Sequence, residues 1–274
     1  FRFFKFNYLE ILILLNVFLF FQFRGIPVYI MLTQILKLNI FLLTLGIFIY
    51  NFKNIYLKNN YELKIAKNNE RFISYFLINI CLFIFFEHMK NFHYKAYYIH
   101  LSEWASNYTG GMNRRGLIGE IITSVYSGNN LKIVIVFLIT IVYSWLILNI
   151  YIIFKKINQN YLSIFILLSP FYVLFSINDF RGGNSKELIG FLALTLLILY
   201  DIYKSNAYLL LSLLVYFIGV FSHNLNIFLF PGIIFYIFVI SKIQKKTYIS
   251  SFYPIIVLAN IIILSKSFSL LKSP

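Results

Sequence analysis

Nine apolar runs, each near the length needed to cross a lipid bilayer, leave this chain few ways to fold. They cover roughly residues 8–23, 27–50, 72–87, 131–154, 161–177, 188–203, 206–222, 226–241 and 249–268. A spanning helix needs about 20 mostly apolar residues, with a range of about 17 to 25. The shorter runs therefore have to extend into the interface. Run two is the most polar at its centre, where it carries Gln34 and Lys37. Composition agrees: 60% of the 274 residues are hydrophobic, 20% aromatic and only 12% charged, whereas soluble domains are nearer half apolar and a quarter charged. The expected fold is an all-α integral membrane protein of about nine transmembrane helices, forming a single polytopic membrane domain over 1–274.

The formal net charge of +15 does not indicate a nucleic-acid partner. Lys and Arg fall in short segments between apolar runs, where they set membrane orientation, and they form no continuous basic face. Residues 51–71 hold four Lys and one Arg; Lys155 and Lys156 follow run four, Lys204 follows run six, and Lys242, Lys245 and Lys246 follow run eight. These are alternate connections, so they share one side of the membrane, which the positive-inside rule assigns to the cytoplasm. Arg2 and Lys5 join them if the first run points outward. That run lacks a small-residue cleavage site and reads as a membrane helix rather than a leader. The single Cys81 lies inside an apolar run, where it makes no internal disulfide and reads as a small apolar residue.

The remaining connections are then extracytoplasmic: a long loop at 88–130, "NDFRGGNSKE" at 178–187 and "SHNLN" at 222–226. Polar residues unexplained by orientation collect here. In the long loop, "YTGGMNRRGLIGE" joins Gly110–Gly111 to Arg114–Arg115, and a short amphipathic or re-entrant helix is expected to begin near Gly116. Glycines admit close backbone approach, helix N-termini favour anions, and arginines bond phosphate oxygens bidentately. This combination suits a phosphate or pyrophosphate at the outer boundary; interfacial anchoring of the arginines on lipid headgroups is the plainer alternative.

Glu103 lies three residues beyond His100, sharing its face if 97–106 is helical. It suits a general base toward a sugar hydroxyl, a ligand to a divalent cation, or a solvated acid paired with an arginine. Trp104, Tyr97, Tyr98 and Tyr108 suit either sugar stacking or an interfacial aromatic belt. The second loop repeats the pattern, with Asp179, Arg181, a Gly–Gly pair and Lys186–Glu187 opening run six. Charges at such depth are costly unless paired or functional. His223, at the outer end of run seven, is a candidate base or phosphate contact. There is no Walker motif, dinucleotide fingerprint, Cys/His metal spacing or nucleophile elbow in the sequence, so no cofactor and no metal are expected.

"GGMNRRGLIGE", followed by short Arg/Lys/acid clusters and a late His on the outer side of a many-span chain, resembles bacterial O-antigen and oligosaccharide repeat-unit polymerases of the Wzy-like type. The resemblance covers most of the chain in topology, but in motif only about twenty residues and two short clusters. It implies an inner-membrane enzyme that joins undecaprenyl-pyrophosphate-linked oligosaccharides at its periplasmic face. Its partners would be that lipid-linked oligosaccharide, membrane lipids, and chain-length regulator and flippase proteins. Family members usually have more spans and a larger central periplasmic loop, so this chain is expected to be a piece of a longer protein. Under this reading Arg114, Arg115 and Arg181, with Lys186, Gly110 and Gly111, receive the substrate. Glu103, Asp179 or His223 deprotonates the acceptor hydroxyl. Two other readings fit the same residues: a polyprenyl-phosphate-dependent transferase adding one sugar, with Glu103 catalytic, and a lipid-linked oligosaccharide flippase. A transporter places its charges near the midplane, where the sequence offers Gln34 and Lys37.

Overall fold

Pro27 stands at the start of an apolar run that contains no further Pro, and Pro is favoured in the first turn of a helix. In the computed structural model, which describes residues 28–58, 67–93, 98–107, 116–156, 166–167, 185–223 and 233, α1 starts there and runs Val28–Lys58. It is followed by α2 at Lys67–His93, α3 at Tyr98–Ala105, α4 at Leu117–Val125, α5 at Gly128–Lys156, α6 at Glu187–Tyr203 and α7 at Asn206–Ser222. No strand occurs among the described residues. Three segments, Ile30–Ile47, Ile73–Lys90 and Gly128–Lys156, are long and apolar enough to cross a membrane, and Asn206–Ser222 is a shorter apolar helix. At about 1.5 Å per residue, the 29 residues of α5 reach about 43 Å, beyond the hydrocarbon core of about 30 Å. The expected runs 27–50, 72–87, 131–154, 188–203 and 206–222 thus correspond to helices. Runs 8–23, 249–268 and nearly all of 161–177 and 226–241 lie outside the described residues.

The chain forms two compact units: Phe1–Tyr98 with Phe154–Gly183, and Ile99–Ile153 with Asn184–Pro274. In the first, α1 and α2 pack together over Leu43, Phe76, Ile80, Phe83 and Ile84, all buried. Phe41 and Ile78 stay exposed, as lipid-facing side chains of a spanning pair do. Buried Asn39 donates from Nδ2 to Oδ1 of buried Asn79 at 3.4 Å, and Asn79 Nδ2 donates to the Tyr75 carbonyl at 2.8 Å. Gln34 and Lys37, the polar groups picked out in the sequence, are exposed instead; the Lys37 ammonium lies 5.5 Å from the centre of the Phe83 ring.

In the second unit, α6 and α7 are joined by Lys204 and Ser205 alone and pack against each other as an antiparallel pair. The turn places Lys204 in the left-handed region, φ 53°, with its N–H donating to the Tyr200 carbonyl. Ser212 on α7 donates to the Ala193 carbonyl of α6 at 2.7 Å, and Asn149 of α5 donates to Thr195 of α6 at 3.1 Å. Because the pair is antiparallel, the start of α6 and the end of α7 lie at one end of it.

Candidate functional site

That shared end of the second unit is where the polar residues converge. α3 carries Glu103 in its last turn. Ser106, just beyond, donates its hydroxyl to the Glu103 carbonyl at 2.6 Å, closing the end of the helix. Trp104 is fully buried beside it and anchors the short helix through its large apolar surface.

α4 begins at Leu117 with Gly116 as its N-cap, close to the start expected from the sequence, and buries Gly119 and Ile122 while Ile121 and Val125 stay exposed. It packs on α7. Gly119 is required by contact: a Cβ there would sit 1.8 Å from the Ser106 carbonyl oxygen. Asn107 donates to the Thr123 hydroxyl at 3.0 Å, and Thr123 donates to the Gly119 carbonyl at 2.7 Å. The segment expected as a long loop is therefore built around two short helices fixed to each other.

Lys186 immediately precedes α6 and is fully buried, with Nζ donating to Ser106 Oγ at 3.3 Å. It ties the entry of α6 to the exit of α3. Glu187 opens α6, where the helix dipole favours a carboxylate. His223 ends α7, donating its backbone N–H to the Gly219 carbonyl at 2.8 Å.

The three side chains then meet. Imidazole Nε2 of His223 lies 3.5 Å from Glu103 Oε1, and Nδ1 lies 3.3 Å from Glu187 Oε1. His223 is 2% exposed, whereas the Glu103 and Glu187 side chains retain 18% and 25%. The site is thus a buried ring between two carboxylates with partial access. A neutral imidazole has one N–H and one lone pair; only the imidazolium donates on both sides.

Of the residues singled out in the sequence, Glu103, His223 and Lys186 fall in this region. Gly110, Gly111, Arg114, Arg115, Asp179 and Arg181 lie outside the described residues. Glu187 reads in the sequence as either an ion-pairing partner for a nearby cation or a functional charge, and it is not among the site residues expected there; its position at the opening of a helix was the available signal for more. Among the described residues the fold is all-helical, with three helices long and apolar enough to cross a membrane. No family model, curated protein or solved structure matches the chain.

Proposed function

We propose that this protein is a membrane glycosyltransferase that polymerises undecaprenyl-pyrophosphate-linked oligosaccharide repeat units at the periplasmic face of a bacterial inner membrane. The observation that carries the reading is the Glu103–His223–Glu187 cluster, a buried acid–base group at the end of an apolar helix pair. An acceptor hydroxyl attacks the anomeric carbon of the donor sugar. The new C–O bond forms as the bond to pyrophosphate breaks, and the electron pair leaves on the pyrophosphate. The hydroxyl proton passes to Glu103 or, through it, to His223, which Glu187 orients; such positioned proton transfer contributes about 10²- to 10⁴-fold. Arg114 and Arg115, with Arg181, stabilise the departing charge. The apolar helices hold the polyprenyl tails.

The test is a gel of surface lipopolysaccharide from cells lacking the gene, complemented with the wild type or with Arg114→Ala plus Arg115→Ala. A ladder that collapses to core plus one repeat in the double variant is the expected result. Loss of even the single repeat would replace polymerisation with an earlier one-sugar transfer or with a flippase. An unaltered ladder would overturn the role of the arginines.

A further inference from the structure

We infer that Glu103, Glu187 and His223 form a binding site for one divalent transition-metal ion. The three come from the end of α3, the start of α6 and the end of α7, positions separated by 187 − 103 = 84 and 223 − 187 = 36 residues, so no local spacing announces them. One ligand atom from each lies within 4.8 Å of the others. Ligands about 2.1 Å from a metal stand about 3.4 Å apart at a tetrahedral angle. One ion takes a single ring nitrogen: at Nδ1 the 3.3 Å spacing to Glu187 Oε1 is of that size, and Glu103, whose Oε1 lies 3.5 Å from the opposite nitrogen Nε2, closes on the ion through its side-chain torsions.

A second observation points to a cation. Glu187 Oε2 is buried and receives no hydrogen bond among the described residues, although burying carboxylate oxygen without a partner is costly. A cation satisfies that oxygen directly. The donor set, two carboxylates and one imidazole, suits Mn²⁺ or Zn²⁺ better than Mg²⁺ or Ca²⁺, which take all-oxygen shells. Three protein ligands leave positions open for an incoming oxygen, as catalytic rather than structural sites do. The oxygens would be those of a phosphate or pyrophosphate. That last role rests on the glycosyl-transfer reading, with Asp179 rather than Glu103 or His223 as the base, since side chains that hold the ion no longer accept the proton; the binding of the ion does not rest on it.

The experiment uses the full chain purified in detergent, treated with chelator, and titrated with Mn²⁺. Free Mn²⁺ is followed by its electron paramagnetic resonance signal, with Zn²⁺ added afterwards as competitor. The expected result is one tight Mn²⁺ per chain, displaced by Zn²⁺. Affinity should fall at least about 100-fold in Glu187→Gln and in His223→Gln, exceeding the loss typical for outer-shell changes, and persist in Glu120→Gln. Adding Mn²⁺ should also raise the unfolding temperature of the wild type but not of Glu103→Gln. No binding by folded wild-type protein, or equal binding by all variants, overturns the site whatever the variants do to folding. A bound ion with an unaltered lipopolysaccharide ladder in Glu187→Gln cells would retain the metal site and reject its use in polymerisation.

Discussion

A methyl group at position 119 has nowhere to go. The obstacle is a backbone carbonyl, Ser106 O, at 1.8 Å, and backbone cannot rotate aside as a side chain can. Gly119→Ala must therefore push α4 away from the end of α3, loosening Asn107 from Thr123 and the turn that carries Glu103. The expected cost is about 3 kcal/mol, the upper end for overpacking, read as a fall in the unfolding midpoint of the purified protein. Gly128 is the matched comparison: its φ is +58° but no atom lies within 4 Å of an added Cβ, so Gly128→Ala costs only the left-handed penalty of about 1 kcal/mol. Equal losses at the two positions would mean that α4 does not rest on that carbonyl. The sequence explains little of this difference. Gly119 stands between Ile118 and Glu120 and Gly128 between Ser127 and Asn129, and only contact reveals that one is held by crowding and the other by its torsion. Glu103 and His223 were legible singly, as chemically capable residues where apolar runs end. Their meeting with Glu187 was not, because it depends on the antiparallel return of α7 along α6.

At the scale of elements, hydrophobic length predicted the presence of helices better than their ends. The run at 27–50 continues as helix to Lys58, and the run at 72–87 begins at Lys67 and lasts to His93. Polar residues such as those at 51–58 can follow an apolar run without ending its helix, since polar side chains cost the backbone ladder little where no Pro interrupts it. Hydrophobic length also passed over the polar residues that matter to packing. Asn39 and Asn79 were hidden among apolar neighbours, while Gln34 and Lys37 drew notice; the structure buries the first two and exposes the others. In a spanning pair, an amide facing another helix replaces the driving force that lipid does not provide. A double-mutant cycle over Asn39→Ala and Asn79→Ala should give a favourable coupling of about 0.6 kcal/mol, and no more than about 1.7 kcal/mol. Reversible unfolding of the purified protein measures it. Zero coupling would mean that the 3.4 Å contact contributes no stability, leaving α1 and α2 held by their apolar faces alone.

For the whole molecule the remaining question is which end of the helices faces out, and charge gives the argument. At one end of the α6–α7 pair stand Glu187 and His223, joined by Glu103. At the other stands Lys204, ion-paired with Asp201; acids count little in orienting a span, so that pairing leaves the Lys signal intact. α5 ends in exposed Lys155 and Lys156, which the same rule keeps in the cytoplasm. Ser127, exposed immediately before α5, should then lie outside, and Asn206, exposed at the start of α7, inside. Cysteine labelling tests this once the native Cys81 is replaced by Ala. A membrane-impermeant maleimide applied to intact cells should modify Ser127→Cys, and should modify Asn206→Cys only after the inner membrane is opened. The reverse pattern would turn the carboxylate–imidazole cluster toward the cytoplasm, where a periplasmic lipid-linked acceptor cannot reach it. Polymerisation at the outer face would then be excluded even if the cluster binds its metal ion as inferred. Labelling of both positions from outside would instead break the alternation of connections on which the assignment of sides rests.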